Sequence, residues 1–559
     1  MDHLLTLTTF VPLASGLVLL CIPGLSDALW RRLTLAATAV TFALSVKVFA
    51  DFDPTRTGFQ LVEHVPWLPA WGVSWFVGID GVSLLLLVMT TFLMPIVVLG
   101  AWTDVTKNVR TFLFFLLALE TGMLGAFVSL NLFQFYVFWE VMLIPMYFII
   151  GIWGGARRVY AAVKFFLYTM AGSLLMLVAI LVLYQLHFEQ FGRLTLDLVA
   201  APGSPAPALY DTTVPIAGDP WWRNQFWLFA AFALAFAVKV PLFPFHTWLP
   251  DAHVEAPTPG SVVLAAVLLK MGTYGFFRLA MPLFPAAAVE FVPIVFALSL
   301  IGIVYAALVA MVQADIKKLV AYSSVAHLGF VMLGLFAFNL EGVKGSVLQM
   351  VNHGLSTGAL FLLVGMLYER RHTRQIADFG GIAKPMPVYA ALFGVVTMSS
   401  IGLPLLNGFV GEFLILLGTF LASPITGTIA AFGVVLAAAY MLWMYRRVMF
   451  GPVENPENRG LIDLGLREKV VMVAMILPIL WIGIYPDFFL RRLDASVTEM
   501  LARIEPHAKL AEAARAQQDD AVGRWARADA ALRAQLGLER GAAADTDAAR
   551  ATWAGGGAR

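Results

Sequence analysis

Val238-Lys239-Val240-Pro241-Leu242-Phe243-Pro244 closes an apolar run that begins near residue 224. A lysine therefore sits inside a stretch long enough to cross a bilayer, and Pro241 and Pro244 interrupt the stretch just after it. Proline removes a backbone hydrogen bond and kinks a helix. At membrane depth the freed groups are tolerated only where they meet protein or water. A charge at the bilayer centre costs about 2.5–3.5 kcal/mol on insertion scales, so a lysine there must pair, line a wet cavity or carry ions. Glu140, Lys270 and Glu412 lie in long apolar runs in the same way.

The rest of the chain has the composition this reading needs. Its 559 residues are 60% hydrophobic and 13% charged, with mean hydropathy +0.81. Apolar runs recur from end to end, each able to span about 30 Å of hydrocarbon. The fold class expected is an all-α polytopic membrane protein, because only helices and closed barrels satisfy the backbone in lipid. A barrel would show alternating segments of roughly ten residues, and these runs are continuous. A net charge of +1 gives no sign of a nucleic-acid partner. The single cysteine, Cys21, excludes internal disulfides and argues against a thiolate cluster. The first run follows only Asp2 and His3, without a basic n-region, and reads as a retained helix.

About fourteen spans are expected, near 4–22, 29–50, 80–101, 111–129, 132–152, 159–186, 224–243, 260–281, 291–313, 318–338, 345–368, 387–421, 427–449 and 470–490. The twelfth is too long for one straight crossing and contains Gly402-Leu403-Pro404, then Gly408 and Gly411. Basic residues gather in alternate loops, at Arg31-Arg32, Lys107 and Arg110, Arg157-Arg158, Lys317-Lys318, Arg370 to Lys384, and Arg446 to Lys469. Those loops are read as cytoplasmic, and an even number of spans then puts both termini on the opposite, periplasmic side. A five-span block at 111–281 ends in a broken span followed by an intact one, and 291–449 repeats that order. An odd number of spans per block makes the two copies inverted, and paired interrupted helices point to a transport site. Residues 1–110 are read as N-terminal spans, 450–490 as the last span, 187–223 as an outer loop and 491–559 as a polar tail to which no chemistry is assigned.

Glu140, within Phe135-Tyr136-Val137-Phe138-Trp139-Glu140-Val141, is read as an ion-pair partner that sets a neighbour's proton affinity; the alternative is an acid bonded to a hydroxyl. A buried ammonium loses hydration and a nearby carboxylate restores part of the loss, so Lys239 can hold or release a proton near neutral pH; the alternative is a lysine that snorkels or bonds freed carbonyls. Lys270 stands eleven residues after Pro259, about 16 Å up a helix and so at mid-membrane. His327 and His353 suit a relay because histidine titrates near physiological pH; packing is the bland alternative. Glu412, just past the Gly402-Leu403-Pro404 break, is read as an exit site or a lysine partner. Lys164 could modulate Glu140 or snorkel. His246, Asp251, His253 and Glu255 read more readily as a polar loop than as an entry site, and Glu120 and Asp315 as structural. No metal site is expected from the ligand spacing. No dinucleotide, Walker, haem or flavin signature occurs, so redox chemistry and nucleotide binding are not expected in this chain.

Phe138-Trp139-Glu140-Val141-Met142-Leu143-Ile144-Pro145 and its continuation to Gly154-Gly155, Val238-Lys239-Val240-Pro241 through His253, and Gly402-Leu403-Pro404 resemble the antiporter-like subunits of respiratory complex I, the NADH–quinone oxidoreductase. The likeness covers about residues 1–490. An acid at 412, where sister L and N types usually carry lysine, favours the M type; the long tail departs from that type. The resemblance implies that protons pass from the cytoplasm to Lys239, along Lys270, His327 and His353, and out by Glu412, with Glu140 as electrostatic gate. It implies neighbouring L- and N-type subunits as partners in a bacterial inner membrane. It places FMN, iron–sulfur clusters and quinone in partner subunits, with no cofactor in this chain. The rivals are a subunit of a multisubunit sodium/proton antiporter or of a membrane-bound hydrogenase, and a purely structural scaffold.

Overall fold

A computed structural model describes residues 3–216, 219–511 and 513. Met1–Ile504 form one compact unit and Glu505–Arg559 a second. In the second, 505–511 are helical, and most of the expected tail lies outside the described residues.

The first unit opens with two helices, α1 (Leu4–Cys21) and α2 (Asp27–Asp51), followed by a hairpin of β1 (Gln60–Leu68) and β2 (Val73–Ile79). The strands pair antiparallel with Val65 opposite Trp75 and irregular register near Gln60 and Pro66. Then come α3 (Gly81–Asp104), α4 (Val109–Val128), α5 (Leu132–Val141), α6 (Leu143–Trp153), α7 (Arg158–Phe191), α8 (Gln225–Lys239) and α9 (Trp248–Glu255). A long helix α10 spans Thr258–Leu283. It precedes α11 (Val292–Met311), α12 (Ile316–Phe336), α13 (Leu340–Arg371), α14 (Pro387–Ser400), α15 (Asn407–Ala422), α16 (Pro424–Met449) and α17 (Leu466–Ile484).

Among the described residues, eleven helical stretches have the length and composition to cross a membrane, with α5 and α6 taken as one; α8, α14 and α15 are shorter apolar helices. Capping explains many starts. The Asp80 carboxylate accepts from Ser83 N at 2.9 Å to open α3, Asn131 accepts from Phe133 and Gln134 N to open α5, and Asp315 accepts from Lys317 N at 2.7 Å to open α12. Each cap fills backbone donors that the first turn leaves unpaired.

The apolar surface is distributed as a bilayer demands. Leu17, Val18, Leu20, Val178, Leu181, Phe432 and Val435 are exposed, whereas an eighteen-residue stretch of α10 and one of α13 are buried along their whole length. Peripheral helices turn aliphatic side chains outward, and this buried pair occupies the middle. The span around Lys270, expected to be intact, is continuous in α10, but two π-helical turns, 264–268 and 276–280, interrupt its α geometry.

Candidate functional site

Five backbone irregularities position the buried ionisable groups. Span five divides at Met142 into α5 and α6. Pro145 has no N–H for the Val141 carbonyl, so the ladder stops one residue after Glu140. Glu140 is therefore at a helix joint, not in the middle of a straight span. Its Oε1 is buried without a hydrogen-bond partner among the described residues. It lines an apolar groove of about 780 Å³ together with Phe133, Tyr136, Val137, Leu177 and Leu181.

Lys239 is the last residue of α8, where Pro241 stops the helix. It is 1% exposed, which rules out snorkelling, and its Nζ has no hydrogen-bond partner among the described residues. The ammonium lies 5.1 Å from the Trp139 ring and 5.8 Å from the Phe165 ring, a cation–π setting that replaces part of its lost hydration. Glu140 acts on it through space, without an ion pair within 4.0 Å. The carbonyl of Val238, freed at the break, is taken by the Trp248 indole N–H at 2.9 Å. Beyond the break, residues expected as a polar loop form helix α9. His246, just before that helix, is buried, stacked on Phe243 and edge-on to Tyr305.

Lys164 does not reach Glu140. Its Nζ donates to the Asp251 carboxylate at 2.7 Å, and Arg157 flanks the same acid at 3.7 Å. Lys164 therefore binds α7 to α9.

Lys270 sits between the two π turns of α10. Wide turns of this kind are frequent at functional sites. The ammonium donates to the Ala265 carbonyl and contacts His353 Nδ1 at 2.6 Å. The His353 and His327 rings are 5.7 Å apart. His327 Nδ1 meets Glu412 Oε1 at 2.9 Å, and the same oxygen accepts from Gln349 Nε2 at 3.2 Å. Lys270, His353, His327 and Glu412 are thus brought into one buried row across α10, α13, α12 and α15. Lys239 is not hydrogen-bonded into it.

The break at 401–406 serves Glu412. Gly402 has φ +72°, a conformation that favours glycine, and a Cβ there would lie 2.7 Å from Glu412 Oε2, so the missing side chain eases the backbone turn and leaves room for the carboxylate. Gly411 lets α15 approach the Gln349 and Asn352 amides.

Gln349, Asn352 and Ser356 were not singled out from the sequence. With His353 they follow the three-and-four spacing of one helix face, a polar stripe legible in an otherwise apolar helix. Asn352 donates to the Asn407 carbonyl at 2.7 Å, and Ser356 and Ser399 hydroxyls are 2.6 Å apart, so the stripe is tied to both halves of the second broken span. A cavity of about 10 Å³ lined by His327, Gln349, Asn352, His353 and Ser399 lies along it, close to the volume one water needs. His253, on α9, is fully buried, stacked on Phe361 at 4.7 Å, and both its ring nitrogens lack hydrogen-bond partners among the described residues. It is within electrostatic reach of Lys317 and Lys270. Lys317, Asp104 and Glu255 line a polar cavity of about 410 Å³ beside the basic loops at 105–108 and 154–158.

Apolar helices, two of the shorter ones meeting at mid-chain breaks, packed around an ionisable interior define an antiporter-like membrane subunit. The profile of the family described as NADH:quinone oxidoreductase/Mrp antiporter, TM, matches residues 129–437, and the chain belongs to that family. NADH-quinone oxidoreductase subunit M of Rhodobacter capsulatus is 46% identical over 92% of this chain and 99% of the relative. A chain of respiratory complex I from Thermus thermophilus, solved with bound NADH, superposes with TM-score 0.79 at 33% identity, covering 89% of this chain and 99% of that one. A chain of the Mrp complex from Dietzia superposes with TM-score 0.75 at 20% identity, covering 91% and 100%, which shows a shared fold alone.

Proposed function

We propose that this chain is the M-type, proton-translocating membrane subunit of an NADH–quinone oxidoreductase. The observation that carries the reading is the buried row in which Lys270 meets His353 at 2.6 Å and His327 meets Glu412 at 2.9 Å. Each member can take up or give up a proton, and neighbours lie within one hydrogen bond or one intervening water. The subunit M relative and the complex I chain are 46% and 33% identical to this chain, against 20% for the Mrp chain, which favours a redox-driven complex over an antiporter.

In this reading Glu140 and Lys239 form the control point. The missing ion pair leaves the lysine's proton affinity sensitive to any charge arriving at the Glu140 groove. The cavity at Lys317, Asp104 and Glu255, with His253 between it and Lys270, offers the cytoplasmic access. Protons leave by Glu412. Each charge moved against the membrane potential costs about 2.3 kcal/mol per 100 mV, and quinone reduction in other subunits supplies it.

The finer architecture is part of the same proposal. Fourteen crossings follow if α5–α6, α8–α9 and α14–α15 each count as one span and α17 completes the set. Both ends of the first unit contact the hairpin side: Leu5 N donates to Glu63 at 2.7 Å and Gly58 N to Glu499 at 3.0 Å. That supports an even number of crossings and periplasmic termini in a bacterial inner membrane. Blocks 111–281 and 291–449 are the inverted repeats, with 1–110, 450–490 and 491–559 flanking them. L- and N-type subunits are the neighbours, and FMN, iron–sulfur clusters and quinone belong to partner subunits.

Lys270→Met in the intact complex, reconstituted in proteoliposomes, tests the reading. NADH-driven internal acidification is expected to fall at least about tenfold, the equivalent of roughly 1.4 kcal/mol on the transfer barrier, in an assembled enzyme. Undiminished acidification would overturn the row.

A further inference from the structure

α10 carries two further polar residues that the row does not use. Tyr274 and Arg278 follow Lys270 at four-residue steps. Thr258 N, at the start of α10, donates to Asp104 at 3.2 Å, and Arg278 Nη2 meets Asp80 Oδ1 at 2.6 Å. Because Asp80 and Asp104 bound opposite ends of α3, the two helices run antiparallel, and Arg278 lies at the end away from the basic loops.

This end is closed in depth. Arg278 and Asp80 are 6% and 5% exposed. The Tyr274 hydroxyl donates to the Phe127 carbonyl at 2.8 Å, lies 3.0 Å from Ser83 Oγ and accepts from Arg278 Nε at 3.2 Å. Arg278 also sits over the Phe59 ring at 4.7 Å, and its carbonyl accepts from the Tyr210 hydroxyl at 2.5 Å. A helical segment at 494–504 covers the site. Ser496 accepts from Gly81 N at 2.9 Å, and Arg503 lies 4.8 Å over the Tyr210 ring. Only about 30 Å³ of space remains between Asp80, Arg278, Ser496 and Arg503.

We propose that the Arg278–Asp80 pair, reinforced by Arg503, is a fixed-charge plug that stops protons from passing between the Lys270 row and the outer face along α10. A lysine, histidine or carboxyl can hand a proton on; a guanidinium stays charged at any working pH and cannot. Fixed positive charge at a narrow point excludes protons and cations, as in other membrane pores. Asp80 holds the guanidinium in place, and the tyrosines fill the space a water file would need. Protons collected at Lys270 are thereby confined to the branch toward His353 and Glu412. The proposal rests on the reading that Lys270 conducts.

The test uses the whole complex in proteoliposomes carrying an internal pH dye. Passive proton entry is measured under a potassium–valinomycin potential without NADH. An Arg278→Gln/Asp80→Asn double variant keeps hydrogen-bonding groups and removes both charges. It is expected to raise passive entry several-fold over the parent, with electron transfer preserved and net pumping per NADH reduced. Arg278→Lys, whose ammonium can release its proton, is expected to leak less than the double variant and more than the parent. Adding Lys270→Met to the double variant is expected to abolish the excess leak. If the double-variant complex does not assemble, Arg503→Glu in the otherwise unchanged complex must itself raise passive entry. Assembled variants with parental leak and pumping would overturn the plug, as would an excess leak that survives Lys270→Met. Full pumping by Lys270→Met alone would instead defeat the underlying row.

Discussion

Gly402 and Glu412 show how much can depend on one missing methyl group. The glycine turns the chain at φ +72° and leaves its face open to the carboxylate that bonds His327 and Gln349. Gly402→Ala places a Cβ in a left-handed conformation, at a cost of roughly 1–2 kcal/mol, and drives it against Glu412. The expected outcome is a lower yield of assembled complex, measured on native gels, and weaker NADH-driven pumping in what assembles. Glu412→Gln separates charge from shape: the amide can still accept from His327 or Gln349, so assembly is expected to stay near parental while proton pumping falls. Pumping at the parental rate would remove Glu412 from the path. Glu140 and Lys239 were legible as residues, since charge inside an apolar run is costly whatever surrounds it. Their lack of an ion pair was not, because the separation depends on how the Met142 joint and the Pro241 break orient two different helices.

Among the elements, α10 and α8 illustrate a constraint carried by glycine. A Cβ at Gly272 would lie 2.6 Å from the Phe236 carbonyl and 2.9 Å from Val240 N. α8 therefore reaches Lys239 and its break with its backbone pressed against α10. Gly272→Ala forces the helices apart, costing about 1–3 kcal/mol as overpacking does. The expected result is a lower midpoint of thermal inactivation of the complex and reduced pumping. Unchanged stability would mean that the two helices slide freely. The broken helices were legible from Pro241, Pro244, Gly402 and Pro404 because those residues act through local backbone chemistry. The π turns of α10 were not, since none of Leu264 to Leu268 is a helix breaker. The hairpin 60–79 escaped for a related reason: its register is set by packing against neighbours, with Phe76 N bonded to the Gln134 side chain at 3.0 Å.

For the whole molecule, the distribution of basic residues makes a topological prediction. In a Cys21→Ser background, cysteine introduced at exposed Thr57, in the loop before β1, is expected to react with an impermeant maleimide in intact cells. Cysteine at exposed Thr106, beside Lys107, is expected to react only after permeabilisation. The reverse pattern would invert the proposed orientation and with it the direction of proton flow. At this scale the helical, membrane-type architecture was legible, because hydrocarbon thickness fixes the length of an apolar run.

The sequence alone determined that this is a helical membrane protein with costly charges at depth and two broken spans, because desolvation and missing backbone donors act residue by residue. The tertiary structure decided the partnerships: His353 with Lys270, Glu412 with His327, Lys164 with Asp251 and Arg278 with Asp80. Those partners stand 83, 85, 87 and about 200 residues apart along the chain. No local preference encodes such a distance; only the packing of whole helices brings the groups within one hydrogen bond.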